Sequence, residues 1–395
     1  MSDINIMVFR GKLKTLDYFI EQLIKYCHSN SINIYVADAN IPESYNSEAF
    51  HNFSNRPNTV MYTINNVGIR LESNDGINYW KRHNIPVFDH LVDHPRNYDD
   101  ALLKPFCDTY ALCLDLEHIQ FIKEYYPLVK DTFFFPNGGT EVDNSIPFEE
   151  RPIDVLYMGS CQEHIPSFPS IKLFEDNGAS FYSSTISLLL KNTNLSTAEA
   201  ISLYLDSKNI SPSKDILLEL NLNYAGLIES IARRLTKLSG MKALDDMGIK
   251  VEIFGGNSWI DEAYPFSDNI TIHDRISPEE LMPYIGKAKI SLCFIPWYKQ
   301  GCSEKNFDSM LNGALCVTDR SSYLEMNYRD GENITFFDLS NPAQMAADVK
   351  WLLEHPTEAS TIAQKGYETA KIHDSWEVRF ADIIAIMKTA LSQRC

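Results

Sequence analysis

The chain has 395 residues, with 35 Lys and Arg against 53 Asp and Glu, which gives a formal net charge of −18. This length predicts two or three domains, and a hydrophobic content of 44% is typical of a globular enzyme. The acidic balance argues against general binding to nucleic acid or to an anionic membrane surface, although it leaves room for a local anion site.

The chain shows no targeting or membrane-spanning segment in its sequence. The start, MSDINIMVF, lacks the basic stretch and the long apolar segment of a signal peptide. No apolar run approaches the length of about 18 residues that a membrane helix needs. The eight cysteines include no Cys-x-x-Cys pair of the zinc or redox type. We therefore predict a soluble, cytoplasmic protein with reduced cysteines.

Short apolar runs alternate with amphipathic stretches over the first part of the chain. The runs predict strands at residues 4–9, 33–38, 59–64, 85–91, 109–114 and 132–136. Strands that alternate with helices indicate a parallel sheet of βαβ units. Residues 136–152, with three prolines and paired glycines, then predict a linker.

A second set of alternating elements follows the linker. Its predicted strands are residues 153–160, 251–256, 269–273, 289–295, 314–319 and 333–338, and three helices end the chain at 341–354, 357–371 and 375–391. The pattern predicts two doubly wound α/β lobes. Residues 183–246 read as a helical insertion or an elaborated first crossover. Its basic residues, Arg233, Arg234, Lys237 and Lys242, predict a solvated face, with a membrane-facing helix as the alternative.

Polar residues and glycines that follow strands are the candidate ligand groups, because open parallel sheets bind ligands at the carboxyl ends of their strands. Gly159 and Ser160 end the first strand of the second set, where a glycine lets the backbone approach a phosphate or simply makes a turn. Gly255 offers a second point of backbone access, or only a loop glycine. The loop around His273 and Arg275 can read a nucleobase through its backbone.

The segment after the fourth strand of this set carries the richest chemistry. In a helix that begins near Ser303, Glu304 and Asp308 share one face. A carboxylate can accept hydrogen bonds from both hydroxyls of a ribose, and Lys299 or Lys305 can neutralise a diphosphate. An exposed capping cluster is the alternative.

A family resemblance appears at residues 305–319, KNFDSMLNGALCVTD. This run resembles the carboxyl-terminal signature of GT-B glycosyltransferases, in particular the group-1-like branch of spore-maturation type. IDVLYMGS, VEIFGG and YIGKAKISL match in order around it. The resemblance implies two Rossmann-like lobes: residues 1–148 on the acceptor side, joined by the last helix at 376–395, and residues 149–375 for the nucleotide-sugar donor.

The resemblance also implies roles for individual residues. By position, Asp308 matches the acid that holds the donor ribose, Gly159 and Ser160 match the diphosphate loop, and residues 273–276, which end at Ile276, match the loop that contacts the base. Many retaining members carry two glutamates eight positions apart, where this chain has Gln300 and Asp308. Stereochemistry is therefore left open.

The implied substrates are a UDP- or GDP-linked sugar and a hydroxyl acceptor in a glycan, a protein or a lipid-linked glycoconjugate. We expect no metal and no other cofactor, because GT-B enzymes generally need none and because the chain has no Asp-x-Asp motif.

The acceptor side is predicted at residues that follow the first and third strands, Arg10, Gly11, Asn65 and Asn66. Asp93 and His94 follow the fourth strand and form the densest acid/base cluster of the chain. Either side chain can serve as the general base that takes a proton from an acceptor hydroxyl. A polar turn closed by Pro95 is the alternative.

The leading prediction is a glycosyltransferase that moves a sugar from a nucleotide diphosphate to a hydroxyl group. A sugar-nucleotide epimerase can share the same two lobes, and a non-catalytic bilobal ligand-binding protein is a further alternative. The missing export signal and the single linker argue against the binding protein.

Overall fold

A computed structural model describes residues 4–142, 146–162 and 167–394 of the chain. Over these residues, no helix combines the length and the apolar character that crossing a bilayer would require. The seven described cysteines are all buried thiols.

The chain folds into two compact units. Unit 1 comprises Met1–Gly138, Ser277–Glu279 and Ile372–Cys395, and unit 2 comprises Gly139–Ile276 and Glu280–Lys371. The sequence predicts the boundary at residues 148 and 149, whereas the contacts place it ten residues earlier. The reason is that the segment after Gly138 packs on unit 2: a Cβ on Gly139 would lie 2.6 Å from the backbone carbonyl carbon of Phe307.

Unit 1 is built on a parallel sheet of six strands in the order β2-β1-β3-β4-β5-β6. The strands are β1 (Asn5–Arg10), β2 (Asn33–Asp38), β3 (Thr59–Ile64), β4 (Val87–Leu91), β5 (Thr109–Cys113) and β6 (Asp131–Phe134). Strands β3 and β4 are buried along their whole length, and this burial includes the polar residues Asp89 and His90 of β4.

Helices cover this sheet. They are α1 (Lys14–Ser29), α2 (Pro42–Tyr45), α3 (Glu48–Ser54), α4 (Tyr79–Arg82), α5 (Asp99–Leu103), α6 (Leu116–Tyr125) and the last helix of the chain, α16 (Trp376–Ser392). Helix α16 packs on α1, with the ring centroids of Phe19 and Trp376 5.1 Å apart.

Unit 2 holds a second parallel sheet of six strands, in the order β12-β11-β10-β7-β8-β9. The strands are β7 (Ile153–Met158), β8 (Val251–Phe254), β9 (Ile270–His273), β10 (Ala288–Cys293), β11 (Leu315–Asp319) and β12 (Thr335–Phe337). Counted within the unit, this is the strand order of a Rossmann fold.

Helices also surround the second sheet. They are α7 (Ala179–Lys191), α8 (Thr197–Ser207), α9 (Lys214–Leu220), α10 (Gly226–Asp246), α11 (Pro278–Ile285), α12 (Glu304–Leu311), α13 (Ser322–Asn327), α14 (Pro342–Glu354) and α15 (Pro356–His373). Helices α7 to α10 cover the predicted insertion at residues 183–246, and they bury a small core that includes Phe181 of α7, Tyr204 of α8 and Ile228 of α10.

The structure confirms the predicted fold class, two doubly wound lobes with parallel sheets. Each of the twelve predicted strands is present, and no strand end shifts by more than two residues from its predicted position. The three predicted terminal helices are present as well.

Candidate functional site

The strand order of unit 2 places a candidate ligand site between β7 and β10. In the sheet, β8 and β9 lie beyond β7, whereas β11 and β12 lie beyond β10. The chain therefore continues in opposite directions from these two neighbouring strands. Such a reversal opens a crevice at the carboxyl ends of the two strands, where nucleotides bind in folds of this type. Gly159 follows β7, and the segment after β10 leads to α12.

Gly159 and Lys305 meet at this point. Gly159 has φ +128, and a Cβ there would lie 2.8 Å from Lys305 Nζ, so a side chain at this position would displace the ammonium group. Lys305 is half-buried, and its Nζ makes no hydrogen bond or ion pair with the residues that the structure describes. An unpaired cation beside an open backbone segment can bind an anion.

Two further cations come from α10. Lys237 Nζ donates to the carbonyl of Ser160 at 3.0 Å, and the charges of Arg233 and Lys305 both act on it. Burial first, then these two cations, lower the pKa of Lys237 well below its ordinary value. The three side chains form what we call the cationic cluster, Arg233, Lys237 and Lys305.

The prediction of a solvated basic face on this helix is wrong. Lys237 is 3% exposed and Arg234 is 7% exposed, and both side chains point at the segment that follows β7. Arg234 pairs with Asp261 and donates to Ser258 O at 3.3 Å. Sequence reasoning assigned no ligand role to Arg233 and Lys237, although their spacing of four residues on a helix was a signal that both could face one site.

Gly255 supports the neighbouring loop, and the structure corrects its predicted contact with the donor. It is buried, and a Cβ there would collide with the carbonyl oxygen of Gly159 and with the ring of Trp259. Trp259 Nε1 donates to that same carbonyl at 2.9 Å. The glycine therefore allows the segments after β7 and β8 to pack together.

The loop after β9 lies next to these segments. His273 pairs with Glu252 through its Nε2 atom, and its ring stacks on Phe254 with centroids 4.5 Å apart. Arg275 is exposed and Ile276 is half-buried. These residues stay candidates for contact with a base.

The first turn of α12 has the predicted local structure. Ser303 is the N-cap, and its Oγ accepts from Lys305 N at 3.4 Å and donates to Glu304 Oε2 at 3.1 Å. Lys299 differs from the prediction, because its Nζ donates to Thr193 O in the turn between α7 and α8. It therefore binds the helical insertion, and it does not extend freely toward a diphosphate.

Asp308 is not on an open face. It is 5% exposed, and its Oδ1 accepts from Thr140 N at 2.7 Å. Burial raises the pKa of this carboxyl well above its ordinary value, although the bond from Thr140 opposes the shift. The side chain thus fixes the segment that opens unit 2, and a contact with a ribose is left to its second oxygen.

The sheet of unit 1 has its own reversal, between β1 and β3. Arg10 is the last residue of β1 and pairs with Glu21 at 3.3 Å. Gly11 has φ +94, and a Cβ there would collide with the Asp38 carboxylate. The residues after β3, Asn65 and Asn66, have positive φ values of 52 and 65. All four predicted acceptor-side residues therefore flank this point of unit 1.

Asp93 and His94 lie nearby but have different surroundings. The exposed carboxylate of Asp93 accepts from Asn65 Nδ2 at 3.2 Å and from Tyr98 OH at 3.0 Å. His94 Nδ1 accepts from Arg96 N at 3.1 Å, and its ring packs on Phe121. Burial, with the nearby charges of Arg96 and His118, lowers the pKa of His94 well below its ordinary value.

Two buried titratable groups of unit 1 were not among the predicted site residues. Asp89 is fully buried and accepts from Asn66 N at 3.1 Å, and burial raises its pKa to about 7. His90 bonds to Tyr62 OH through Nδ1 at 2.8 Å, and burial lowers its pKa to about 3. Both lie on β4, inside an apolar run that reads as plain core.

Comparison with protein families gives one match. Residues 233–385 match the family described as glycosyl transferase-like. The matched segment begins at the basic positions of α10 and includes all of α12. No match is found among curated proteins.

Comparison with solved structures gives many chains with the same two-lobed architecture. An α-glucosyltransferase, solved with UDP and a 13-mer DNA, is 11% identical, with a TM-score of 0.56 over 98% of this chain and 100% of that one. Sucrose-phosphate synthase from Thermosynechococcus elongatus is 10% identical, with a TM-score of 0.55 over 99% and 100%. The chain spans 57% of TarM, at 13% identity and a TM-score of 0.45.

Proposed function

We propose that this chain is a glycosyltransferase of the GT-B fold and that it moves a sugar from a nucleoside diphosphate donor to a hydroxyl acceptor. The donor is a UDP- or GDP-linked sugar, and the acceptor is part of a glycan or of a protein or lipid glycoconjugate. The assignment to the spore-maturation-type branch stays a prediction.

The cationic cluster is the observation that carries this proposal. In a chain with a net charge of −18, Lys237 and Lys305 meet at the carboxyl end of β7, and no carboxylate contacts either of them among the described residues. The charge of Arg233 also acts on Lys237, although Arg233 itself pairs with Glu229 at 3.2 Å. Like charges placed together cost free energy unless an anion binds between them. A diphosphate has the charge and the oxygen atoms to do so.

The same groups support catalysis. During transfer the bond from the sugar to the diphosphate breaks, and negative charge grows on the leaving oxygen. Cations that are already in place stabilise that charge without reorganisation. Because the chain itself supplies this charge, we propose transfer without a metal ion. The solved α-glucosyltransferase that contains UDP supports a uridine donor in particular.

In unit 1 we propose Asp93 as the group that takes the proton from the acceptor hydroxyl. Its carboxylate is exposed and is oriented by Asn65 and Tyr98. The reduced, buried state of the seven described cysteines supports a cytoplasmic location, which stays a prediction. The match of residues 233–385 favours a transferase over an epimerase or a binding protein.

Titration calorimetry with UDP and GDP tests the donor site. We expect the wild-type chain to bind one of them and Lys305→Met to weaken that binding by about tenfold or more, since a charge-assisted hydrogen bond is lost. Incubation with the sugar nucleotide then separates the reactions, because a transferase slowly releases free sugar whereas an epimerase returns an isomerised nucleotide.

Lys289→Met is the matched control. Lys289 also lies in unit 2, where it pairs with Asp154 at 2.8 Å. It is at the start of β10, at the amino ends of the strands, whereas Lys305 is at their carboxyl ends. Its loss should leave nucleotide affinity unchanged. Equal affinities for wild type and Lys305→Met, or no binding of either nucleotide, would contradict the proposed donor site.

A further inference from the structure

Unit 2 contains a cavity at the end of its strands that lies opposite to the cationic cluster. It has a volume of about 450 Å³, and its floor is formed by Arg151, Asn312 and Gly313. Arg151 comes just before β7, and Gly313 comes just before β11. The cavity therefore opens at the amino ends of the strands, whereas the cationic cluster lies at their carboxyl ends.

Arg151 is a buried cation without a counter-ion in contact. It is 7% exposed, its Nη1 donates to Ala288 O at 2.9 Å, and its Nε approaches Ile146 O at 3.5 Å. Both partners are neutral carbonyls. Among the described residues, no carboxylate lies within ion-pair distance of Arg151, and its Nη2 makes no hydrogen bond.

Such an arrangement is unusual, because buried charges are normally paired. Desolvation lowers the pKa of Arg151 to about 10, and only the charge of Glu149 opposes this. The guanidinium thus carries a desolvation cost that two neutral carbonyls and the ring of Phe148, whose centroid is 5.7 Å from Cζ, offset only in part. An anion in the cavity would offset it.

Gly313 keeps the unbonded nitrogen accessible. It has φ +70, and a Cβ there would lie 2.7 Å from Arg151 Nη2. A side chain at this position would cover that nitrogen, so glycine leaves it facing the cavity.

Glu141, Gln364 and Tyr367 line the outer part of the cavity, which we call the rim, and each of them is either uncharged or paired with an opposite charge. Glu141 accepts from Tyr367 OH at 2.7 Å and pairs with Lys371 at 3.1 Å, which compensates its charge. Gln364 is an exposed amide on the rim. Among the residues that line the cavity, Arg151 is therefore the cation, and the carboxylate of Glu141 is already paired with Lys371.

We propose that this cavity binds a small organic phosphate, with one oxyanion on Arg151 Nη2 and the organic part between Gln364 and Tyr367. A volume of about 450 Å³ exceeds what a bare phosphate would fill and falls within the range of small-molecule sites. The site is distinct from the proposed donor site, because it uses other residues at the other edge of the sheet.

Calorimetry on the full chain with saturating UDP tests the proposal, with glucose 1-phosphate, inorganic phosphate and gluconate as probes. We expect glucose 1-phosphate to bind more tightly than inorganic phosphate, and gluconate, a carboxylate of similar size, to bind more weakly than either. Lys305→Met should retain this binding, so a failure of the donor site would not affect the result.

Charge variants on the rim test the location without disturbing the interior. Gln364→Glu should weaken glucose 1-phosphate binding by about tenfold, and Gln364→Lys should tighten it. The matched control is Gln344→Glu: both glutamines are exposed and donate to an acid four residues later at 2.9 Å, Gln364 to Glu368 and Gln344 to Asp348. Arg151→Met should abolish binding.

Three outcomes would overturn the proposal. They are no binding of glucose 1-phosphate at up to about 10 mM, equal effects of Gln364→Glu and Gln344→Glu, and tighter binding of gluconate than of either phosphate. The rim variants keep the test valid even where Arg151→Met fails to fold.

Discussion

Asp93 and His94 are neighbours in the chain, yet their side chains have opposite environments. The carboxylate of Asp93 is exposed, whereas the Nδ1 of His94 is occupied by Arg96 N and its ring is packed on Phe121. A histidine whose pKa lies well below its ordinary value is a weak base at neutral pH. Of the two candidates, the carboxylate is the one suited to accept a proton.

We therefore expect Asp93→Asn to lower turnover by about 100-fold or more, because general-base catalysis is lost. His94→Asn should stay within about twofold of wild type, since the amide oxygen can still accept from Arg96 N and cap the turn. Nucleotide affinity should be unchanged in both. Release of nucleoside diphosphate in the presence of acceptor measures the rate.

Asp100→Asn is the control for the change of charge, because Asp100 is exposed and pairs with Arg70. It should turn over at the wild-type rate. Strong loss in His94→Asn together with normal turnover in Asp93→Asn would reverse the assignment of the base.

For single residues, the sequence predicted which positions lie near the candidate site better than it predicted the contacts of each side chain. Lys305 and Gly159 could be found because each follows a strand of a parallel sheet. The contact between Asp308 and Thr140 spans 168 residues, and no local pattern contains it. The ligand role of Lys237 was missed because a basic residue on a long helix usually faces solvent.

The turn that follows β7 depends on the glycine at position 159. Gly159→Ala would place a methyl group 2.8 Å from Lys305 Nζ and would strain a backbone at φ +128. We expect a loss of about 1–2 kcal/mol in stability and a loss of nucleotide binding that calorimetry detects.

Gly331→Ala separates these two effects. Gly331 also has positive φ, at +70, but a Cβ there meets nothing within 4 Å. It should lose stability through backbone strain and still bind the nucleotide as wild type does. Retained binding in Gly159→Ala would remove the close approach of Lys305 from the donor site.

At the scale of elements, the strands were predictable and the segments between them were not. Each strand is a short apolar run, because strands of a sheet covered on both faces have no exposed side. The start of α12 was predictable from Ser303, whose hydroxyl caps it. The segment after Gly138 reads as a linker because it lacks periodicity, but its backbone is held by Asp308 and Asn312.

For the whole molecule, each unit carries a buried aspartate on an inner strand of its sheet. Asp89 lies in β4 of unit 1 and Asp319 ends β11 of unit 2, where it accepts from Ile295 N at 2.7 Å. Burial raises the pKa of both carboxyls to about 7, although Lys299 opposes the shift at Asp319. Ionisation of these two residues therefore changes the stability of both units in the same direction as the pH rises.

The unfolded chain releases these protons near pH 4, whereas the folded units hold them until about pH 7. Between these values the folded state binds more protons, so the contribution of each aspartate to stability falls as the pH rises and is level above pH 7. An asparagine side chain has no titratable proton, so its contribution to stability does not change with pH. Relative to wild type, Asp89→Asn should therefore gain about 3 kcal/mol between pH 5 and pH 8.

Hydrogen exchange measured by mass spectrometry at pH 5 and pH 8 can follow each unit separately, once rates are corrected for intrinsic exchange. Asp89→Asn should slow exchange in unit 1 at pH 8, and Asp319→Asn should do so in unit 2. The comparison must be with wild type at each pH, because buried His90, with its pKa of about 3, destabilises unit 1 as the pH falls below about 6.5. Asp348→Asn, at a half-buried position whose carboxylate accepts from Gln344 Nε2 at 2.9 Å, should change neither unit. A stability difference between Asp89→Asn and wild type that is constant from pH 5 to pH 8 would mean that Asp89 is already ionised inside the folded unit at pH 5.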